Sequence, residues 1–497
     1  MRNDKQAFLK TKTFVKRPER VVDRVYPTYR IDEGENEEIR GPRIVRSRSR
    51  RDTETSPTTK VQNTASPGDP QRDPVVFFTY SPSSDTTGQV SDNAVDPSGA
   101  DSEAQVIVRT GNWYVDASTN GGGTWKRYDR ATMFPKTPGN GSTSDHIVLY
   151  VQSIDRFVWF MEHAAGADGS GAFRIALAKP SDIKVDFAKA WKSRWSFKAD
   201  DFGLKGINLD FPELAVSQQF LYFSISTVSG ATQGLLVGRL SLQDLAAGGN
   251  VTATYNNPAD TTDAYLAQLA QSGVDGAFWA GHTNSKNDSL TVYSWPDSSS
   301  SYSPTAVPVA VWPQQTLSSK GPNGSDWLSF LDGTSGNSVL GGTRSGNELW
   351  LAWTASKGKG PSNGFDFPNA HVRVVGVAIS TMKTVGELQV WNPNYAFAYP
   401  SLNVNARGEI GIVLAWGGTN DHANAATGIL GDFIVWYQNG SDTTTTRWGD
   451  FTTVRMAARN RSLFAGFAYY TKKDTSRTSG YYFDPYYVVF GRQSAGP

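Results

Sequence analysis

The chain has 497 residues, 12% of them aromatic, with 48 glycines and no cysteine. The absence of cysteine excludes disulfides and thiolate metal sites, and the aromatic- and glycine-rich composition favours many strands joined by tight turns over a helical bundle. The net charge is +1, but residues 1–51 carry 15 Lys and Arg against 8 Asp and Glu, so a basic N-terminal segment precedes a mildly acidic remainder. No apolar run approaches the ~20 residues of a membrane span or forms a signal-peptide core. We therefore expect a protein that is cytoplasmic as made or exported by a non-Sec route.

Residues 1–74 are polar and contain the runs EGENEE and RIVRSRSRR, followed by a stretch rich in Thr, Ser and Pro. Such a composition cannot bury a core, so it predicts a flexible or extended basic arm. Its anchor candidates are Arg46, Arg48, Arg50 and Arg51. The arm is either a solvated tail, a polyanion-binding segment, or a segment that docks the protein onto a larger assembly. No aromatic side chain lies between these arginines, so specific nucleic-acid readout is not expected.

Residues 75–497 contain short aromatic and β-branched runs separated by Gly, Ser, Asn and Asp, which predicts an all-β domain. The clearest strands are QVIVRT, HIVLYVQ, RFVWFME, FLYFSIS, LLVGRLS, LTVYSW, LWLAWT, VRVVGVAIS, IGIVLAW, DFIVWYQ, LFAGFAY and YYVVFG. The pattern at 263–273, DAYLAQLAQSG, predicts one short helix. The polar run 417–432, GGTNDHANAATGILGD, predicts a long surface loop.

The strands recur in seven groups of similar texture. Each group has a short strand, a polar turn and a stronger apolar strand, and the groups start 49 to 73 residues apart. Repeats that bury their faces by stacking give such a period. The sequence therefore predicts a seven-bladed β-propeller, or six blades if one group is spurious. The ring is expected to close between PVVFFTY (74–80) and YYVVFG (486–491), which removes exposed sheet edges.

The stretch STNGGGTW (118–125) connects the third and fourth predicted strands of the first group. Three consecutive glycines favour positive φ, as a hairpin turn requires. The stretch resembles the Asp-box, Ser-x-Asp-x-Gly-x-Thr-Trp, of sialidase-like propellers. The matching residues are Ser118, Gly122, Thr124 and Trp125, and Asn120 stands where the family has Asp. The box is a structural turn motif, so this resemblance implies a fold and no chemistry.

The wider resemblance is to an uncharacterised bacterial family of sialidase-like propeller proteins, and it covers most of residues 90–490. The runs that carry it are VIVRTGNWYVDASTNGGGTW, LYVQSIDRFVWFMEH, FRIALAKPSDI, AYPSLNVNARGEIGI and RWGDFTTV. Sialidases resemble one another in three arginines that grip a carboxylate, a Tyr–Glu pair and an acid/base Asp. The Arg-Ile-Pro signature of that set is absent here. Arg174 in FRIALAKP comes near it but belongs to an alternating strand.

The positions at which the groups start are chemically uniform. They are Asp96, Asp145, Asp210, Asp275, Asp326, Tyr399 and Asp450. Because innermost propeller strands all begin at one end of the central channel, these side chains are expected to converge on one mouth. Neighbours that would complete a site there are His146, Trp327, Arg447 and Trp448.

Two interpretations of these aspartates remain open. Each can cap a turn or accept backbone N–H groups at a strand start. Alternatively, together they form an acidic mouth that binds calcium or the hydroxyl groups of a sugar. Close carboxylates also raise one another's pKa, so one of them could serve as a general acid.

Other catalytic patterns are absent. The five histidines, His146, His163, His282, His371 and His422, form no metal-binding spacing, and no GxSxG, P-loop or GxGxxG pattern occurs. The leading hypothesis is a non-catalytic propeller that presents its mouth to a glycan or a protein and is attached through its arm. The alternative hypothesis is a sialidase-like glycoside hydrolase that uses the acidic mouth.

Overall fold

The computed structural model describes residues 7–8, 10–14, 25–30, 46–47, 75–82, 95–228, 233–329, 337–360, 366–432, 435–437 and 440–495. Seven antiparallel sheets stand in a ring, with the innermost strand of each sheet next to those of its neighbours. The seven-bladed β-propeller predicted from the sequence is thereby confirmed. Within the described ranges, no helix has the length and apolar character needed to cross a membrane.

The strands follow one another around the ring in chain order. Residues before the first blade supply β1 (Ala7–Phe8), β2 (Lys10–Phe14), β3 (Val25–Arg30), β4 (Arg46–Ser47) and β5 (Val75–Pro82). Blade 1 contains β6 (Ser98–Asp101), β7 (Ile107–Gly111), β8 (Tyr114–Ser118) and β9 (Thr124–Tyr128). Blade 2 contains β10 (Ser142–Val151), β11 (Arg156–His163), β12 (Ala172–Ala178) and β13 (Ser193–Lys198). Blade 3 contains β14 (Leu209–Val216), β15 (Phe220–Thr227), β16 (Gly234–Ser241) and β17 (Val251–Tyr255). Blade 4 contains β18 (Gly276–His282), β19 (Ser289–Pro296) and β20 (Ser301–Pro308).

The remaining blades complete the circle. Blade 5 contains β21 (Gly341–Ser345), β22 (Glu348–Ala355), the small hairpin β23 (Gly358–Lys359) and β24 (Asp366–Phe367), then β25 (His371–Ala378) and β26 (Lys383–Val390). Blade 6 contains β27 (Ala396–Val404), β28 (Ile410–Gly418), β29 (Asp421–Ile429) and β30 (Val435–Tyr437). Blade 7 contains β31 (Thr453–Met456), β32 (Phe464–Lys473) and β33 (Tyr481–Arg492). Four short helices lie in the connections: α1 (Arg130–Met133), α2 (Pro180–Val185), α3 (Phe187–Ala190) and α4 (Leu242–Ala247).

The ring closes through a strand that comes from the other end of the propeller sequence. β5 pairs antiparallel with β33 and becomes the fourth strand of blade 7, in a register that places Val75 opposite Arg492. The closure predicted between PVVFFTY and YYVVFG is therefore present. It pairs the edge that β33 would otherwise expose.

Short segments of the predicted arm lie on the rims of other blades. β1 pairs with β20, β2 with β17, β3 with β9 and β4 with β26. They extend the outer edges of blades 4, 3, 1 and 5. Of the anchor candidates, Arg46 belongs to β4, and Arg48, Arg50 and Arg51 lie outside the described residues.

Large aromatic side chains fill the space between blades. Trp279 and Tyr293 of blade 4 stack with ring centroids 5.2 Å apart, and both belong to the apolar cluster that blade 4 shares with blade 3. Because each blade packs on two neighbours, its strands are apolar on both faces. This explains the nearly continuous apolar runs in the sequence.

Two predicted local structures are wrong. Residues 268–271 are extended and take the innermost place in blade 4, where the Ala270 N–H donates to the Phe278 carbonyl and the Gln271 N–H to the Gly342 carbonyl. Leu269 faces the cluster shared with blade 3 and Ala270 the cluster shared with blade 5, so burial on both faces mimics a helical apolar pattern. Residues 417–432 contain β29, whose alanines are buried between neighbouring blades. Small side chains made this strand resemble a loop.

The STNGGGTW turn joins β8 to β9 and is held by its own side chains. The Ser118 hydroxyl accepts the Gly122 N–H at 2.9 Å, and the Asn120 side-chain oxygen accepts the Thr124 N–H at 2.9 Å. Gly121 and Gly122 have φ of 73° and 97°. Trp125 is buried under the Arg109 guanidinium, 3.8 Å from its ring centroid. The motif therefore fastens blade 1 and does not take part in the mouth.

Contacts between opposite blades fill the channel below its mouth. Phe211 of blade 3 and Phe451 of blade 7 meet edge to face, with centroids 5.7 Å apart. Beyond them the buried Glu213 and Arg455 approach to 3.6 Å across the same two blades. The mouth is consequently a depression with a floor.

We expect the Phe211–Phe451 contact to stabilise the ring. Phe451→Ala should lower the free energy of unfolding by about 3 to 5 kcal/mol, because it leaves a cavity beside a buried ring. Urea denaturation measures this loss. The matched control is Val185→Ala at a side chain that is 88% exposed, with an expected change within about 0.5 kcal/mol. Equal effects of the two substitutions would contradict the role given to the channel floor.

Candidate functional site

The structure brings together four of the predicted aspartates at one end of the channel. Asp96 precedes β6, Asp145 lies in β10, Asp210 in β14, and Asp450 precedes β31. Their charges act on one another, since Asp96, Asp210 and Asp450 all raise the pKa of Asp145. The innermost strands of blades 1, 2, 3 and 7 thus start around one acidic mouth.

Three carboxyl groups in this mouth form what we call the acidic triad: Asp145, Glu162 and Asp210. One oxygen of each lies within 4.8 Å of the others. Asp145 and Glu162 are buried, and Asp210 is partly exposed. The spacing and chemistry of these oxygens would allow the triad to hold a metal ion.

Glu162 is not among the site residues predicted from the sequence. It lies near the end of β11, the second strand of blade 2, so the search at strand starts passed over it. The available signal was a carboxylate in the otherwise apolar run RFVWFMEH, because such groups are seldom fully buried without a partner.

Burial and mutual repulsion govern the triad. Burial raises the pKa of Glu162 well above its ordinary value, and the charges of Asp210 and Asp145 add to the effect. Burial, followed by the surrounding aspartates, likewise raises the pKa of Asp145. The Ser144 hydroxyl donates to Glu162 Oε1 at 3.5 Å, while the buried Oε2 has no hydrogen-bond partner among the described residues.

The other side of the mouth contains a second group, which we call the Asp–Arg group: Asp96, Arg447 and Asp450. Arg447 Nη2 donates to Asp450 Oδ2 at 2.6 Å. Asp96 accepts the Asp450 backbone N–H and, at 2.7 Å, the Asn112 amide. Burial raises the pKa of Asp450 to about 7, with a further rise from Asp96 that Arg447 opposes. Burial alone would lower the pKa of Arg447, but Asp450 and Asp96 outweigh it and raise it.

Tyr399 lies beside the Asp–Arg group with its side chain fully buried. Burial raises the pKa of its phenol well above the ordinary value, and Asp450 and Asp96 add to this. The hydroxyl has no hydrogen-bond partner among the described residues. Trp327 and Trp448 pack behind Tyr399 with their rings 6.2 Å apart, and both are fully buried. They support the wall of the mouth and offer no exposed stacking surface.

Irregular backbone aims several of these side chains. The strand register shifts between Asp210 and Glu213 and between Ala398 and Ser401, as at a β-bulge. Phe211, Tyr399 and Asp96 have φ of 62°, 55° and 39°. Positive φ is costly for such residues and is enriched at functional sites, and bulges re-aim side chains next to such sites.

Two of the predicted mouth aspartates occupy other places. Asp275 is exposed and pairs with Arg344. It lies near the C-terminal end of β14, where the Gln218 N–H donates to the Val274 carbonyl; this is about 20 Å along the strand from Asp210. The group that begins at Asp275 is the second strand of blade 4, because residues 268–271 take the innermost place. Asp326 precedes β21 by 15 residues and caps a loop by accepting the Ser319 and Leu328 N–H groups, and its charge still raises the pKa of Tyr399.

Two further candidates have packing roles. His146 lies on the opposite face of β10 from Asp145, accepts the Trp159 indole N–H at 3.0 Å, and contacts the Thr143 carbonyl through its other ring nitrogen. Burial lowers its pKa well below the ordinary value, so it is neutral. Arg174 donates to the Pro135 and Thr137 carbonyls, which explains its burial without a catalytic role.

No protein-family model and no curated protein matches the chain. Among solved structures, the α-L-arabinofuranosidase from Fusarium graminearum is similar at 13% identity, over 84% of this chain and 98% of that one, with a TM-score of 0.40. A protein of unknown function from Dyadobacter fermentans is similar at 10% identity, over 84% and 99%, with a TM-score of 0.40. An exo-β-1,3-galactanase from Phanerochaete chrysosporium is similar at 11% identity, over 82% and 94%, with a TM-score of 0.31. At these values the likeness carries no conclusion about the ligand or reaction of this chain.

The pKa of Asp450 predicts a pH dependence of stability. An unfolded Asp releases its proton near pH 4, but folded Asp450 holds it up to about pH 7. The folded state therefore binds more protons between these values, and the free energy of unfolding should fall as the pH rises from about 4 to about 7. Asp450→Asn should remove up to about 4 kcal/mol of this fall. Urea denaturation of both proteins at pH 4 and pH 8 measures it, and equal pH slopes would contradict the assignment.

Proposed function

We propose that the protein is a binding propeller whose channel mouth takes a glycan. The observation that carries this proposal is a set of buried oxygen atoms that have no hydrogen-bond partner within the described ranges: Tyr399 Oη, Glu162 Oε2 and Asp450 Oδ1. A buried polar atom left unpaired costs about 1 to 3 kcal/mol. A ligand rich in hydroxyl groups would satisfy all three, since each hydroxyl can donate to a carboxylate and also accept from a phenol.

The shape of the mouth favours a small ligand over a protein surface. Phe211 and Phe451 meet across the channel and close it below the carboxyl groups, so a ligand would reach these groups only from the mouth. Concave sites with a few converging polar groups are typical of small-molecule ligands. The buried Trp327 and Trp448 hold Tyr399 in place, which limits the entropy lost on binding.

Calcium is the ion that we propose for the acidic triad. Two oxygens on opposite sides of one calcium ion lie about 4.6 to 5.2 Å apart, given bonds of about 2.3 to 2.6 Å. The triad oxygens all fall within 4.8 Å of one another. Three carboxylates leave coordination positions for water or for sugar hydroxyls, so the ion would join the protein to the glycan.

The arm keeps its predicted role in attachment. Its basic residues would hold the propeller on a larger assembly or a polyanion. The support for this is compositional, namely 15 Lys and Arg against 8 Asp and Glu in residues 1–51.

We expect Tyr399→Phe to weaken glycan binding by about threefold to tenfold, because one hydrogen bond to the ligand is lost. The free energy of unfolding should rise by up to about 3 kcal/mol, since the substitution removes a buried hydroxyl that has no partner in the described part of the protein. A glycan array identifies the ligand, and calorimetry compares wild type, Tyr399→Phe and the control Asp275→Asn at the far end of blade 4. The absence of any glycan ligand, or unchanged affinity in Tyr399→Phe, would contradict the proposal.

Calcium at about 100 times its dissociation constant should raise the free energy of unfolding by about 2.7 kcal/mol. The double variant Asp145→Asn/Asp210→Asn should lose this response, and Asp275→Asn should keep it. Thermal unfolding of each protein is measured with calcium, with magnesium and with EDTA. The change that calcium causes is taken within each variant, so a difference in stability between the calcium-free proteins does not affect the result. An equal calcium response in the double variant would place the ion elsewhere.

Glycoside hydrolysis is the second candidate function. The observation that favours it is the pKa of about 7 for Asp450, which suits a proton donor near neutral pH. Incubation of the bound glycan with the protein, followed by analysis of reducing ends, separates the two functions. Cleavage by the wild type that disappears in Asp450→Asn would establish a hydrolase. A glycan that stays intact would leave binding as the only function supported.

A further inference from the structure

The charge balance of the mouth differs from what the sialidase resemblance implies. That resemblance implies three arginines around a ligand carboxylate. Here five carboxyl groups line the mouth, those of the acidic triad together with Asp96 and Asp450. In the described part of the chain, Arg447 is the cation that acts on Asp96, Asp450 and Tyr399.

The guanidinium of Arg447 is already committed to the protein. It binds Asp450 at 2.6 Å and is also attracted by Asp96 and Asp145. Its side chain is 38% exposed, whereas that of Asp450 is 13% exposed. A ligand carboxylate would have to draw Arg447 away and leave the more buried Asp450 without its counter-charge. Removing one partner of a buried pair is strongly unfavourable.

The other basic side chain of the channel cannot replace it. Arg455 lies below the floor formed by Phe211 and Phe451, where it is buried and pairs with Glu213 across blades 3 and 7. In the calcium-free protein, a carboxylate in the mouth would therefore meet repulsion from the triad, and the two described cations of the channel, Arg447 and Arg455, are already paired with carboxylates. Unpaired like charges in a site act as a specificity filter against the wrong ligand.

We propose that the mouth selects uncharged glycans and excludes sugars that bear a carboxylate, with Asp450 setting this specificity by holding Arg447. The inference rests on the proposed glycan-binding function and names its ligand class. Asp450 is a specificity-determining residue here because it decides whether Arg447 is available to the ligand.

The experiment uses pairs of oligosaccharides that differ in a carboxylate: lactose against 3′-sialyllactose, and β-1,4-mannotriose against the corresponding mannuronate trisaccharide. Calorimetry at pH 7.5 in EDTA on the full chain measures each member of a pair with no calcium in the acidic triad. We expect the neutral member of a binding pair to bind at least about tenfold more tightly. Raising the salt concentration should narrow the difference, because screening weakens repulsion.

Two variants with the same change of charge give the decisive comparison. Asp450→Asn should release Arg447 and strengthen binding of the acidic member by about tenfold or more. Asp275→Asn removes a carboxylate at the far end and should leave the ratio unchanged. The wild-type protein could bind an acidic member as tightly as its neutral partner, or more tightly. That result would overturn this inference but would still support glycan binding at the mouth. An unchanged ratio in Asp450→Asn would also overturn it, and no binding by any pair would overturn both proposals.

Discussion

Each blade of this propeller has apolar side chains on both faces, so no blade can be buried unless the ring of seven closes. The pairing of β33 with β5 meets this constraint, by bringing residues 75–82 back to the last blade. Closure also dictates where the polar groups go. Because all the innermost strands point the same way, whatever residue type begins them is collected at one end of the channel. The acidic mouth is a direct consequence of this geometry.

Bringing several carboxyl groups together in a buried place is electrostatically unfavourable. The two groups of carboxyl residues in the mouth differ in how this repulsion is offset. In the Asp–Arg group, Arg447 offsets the charge of Asp450, while Asn112 and backbone N–H groups bind Asp96. In the acidic triad, burial and the neighbouring carboxyl groups raise the pKa values of Asp145 and Glu162, while Arg447, which also attracts Asp145, is bound to Asp450. The first group contains one guanidinium for two carboxyl groups, whereas the second contains three carboxyl groups and no cation. This asymmetry makes the triad the natural place for a cation and the Asp–Arg group the natural filter for ligand charge.

The strand groups were predictable because turn residues and apolar runs recur at blade spacing. Asp96, Asp145, Asp210 and Asp450 were found by that route, and so were Tyr399 and Arg447. Asp275 was misplaced because the preceding segment, 268–271, has buried side chains on both faces and so imitates a helix. Once that segment is taken as the innermost strand, Asp275 moves to the opposite end of the blade. The alanine-rich β29 was missed for a related reason: its small side chains pack between blades and carry little apolar signal.

By itself, the sequence determined the class of fold, a count of six or seven blades, and the residue types at most strand starts. These depend on local patterns, namely turn chemistry and the repetition of apolar runs. Only the tertiary structure decided which carboxyl groups meet. Glu162 lies on a second strand, 17 residues after Asp145 and 48 before Asp210, yet one of its oxygens lies within 4.8 Å of a carboxyl oxygen of each. Such a meeting depends on how far each strand is shifted along its neighbours and on the bulges at Phe211 and Tyr399. The approach of these carboxyl groups also depends on how the blades pack around the ring. No local sequence pattern encodes the distances between residues of different blades.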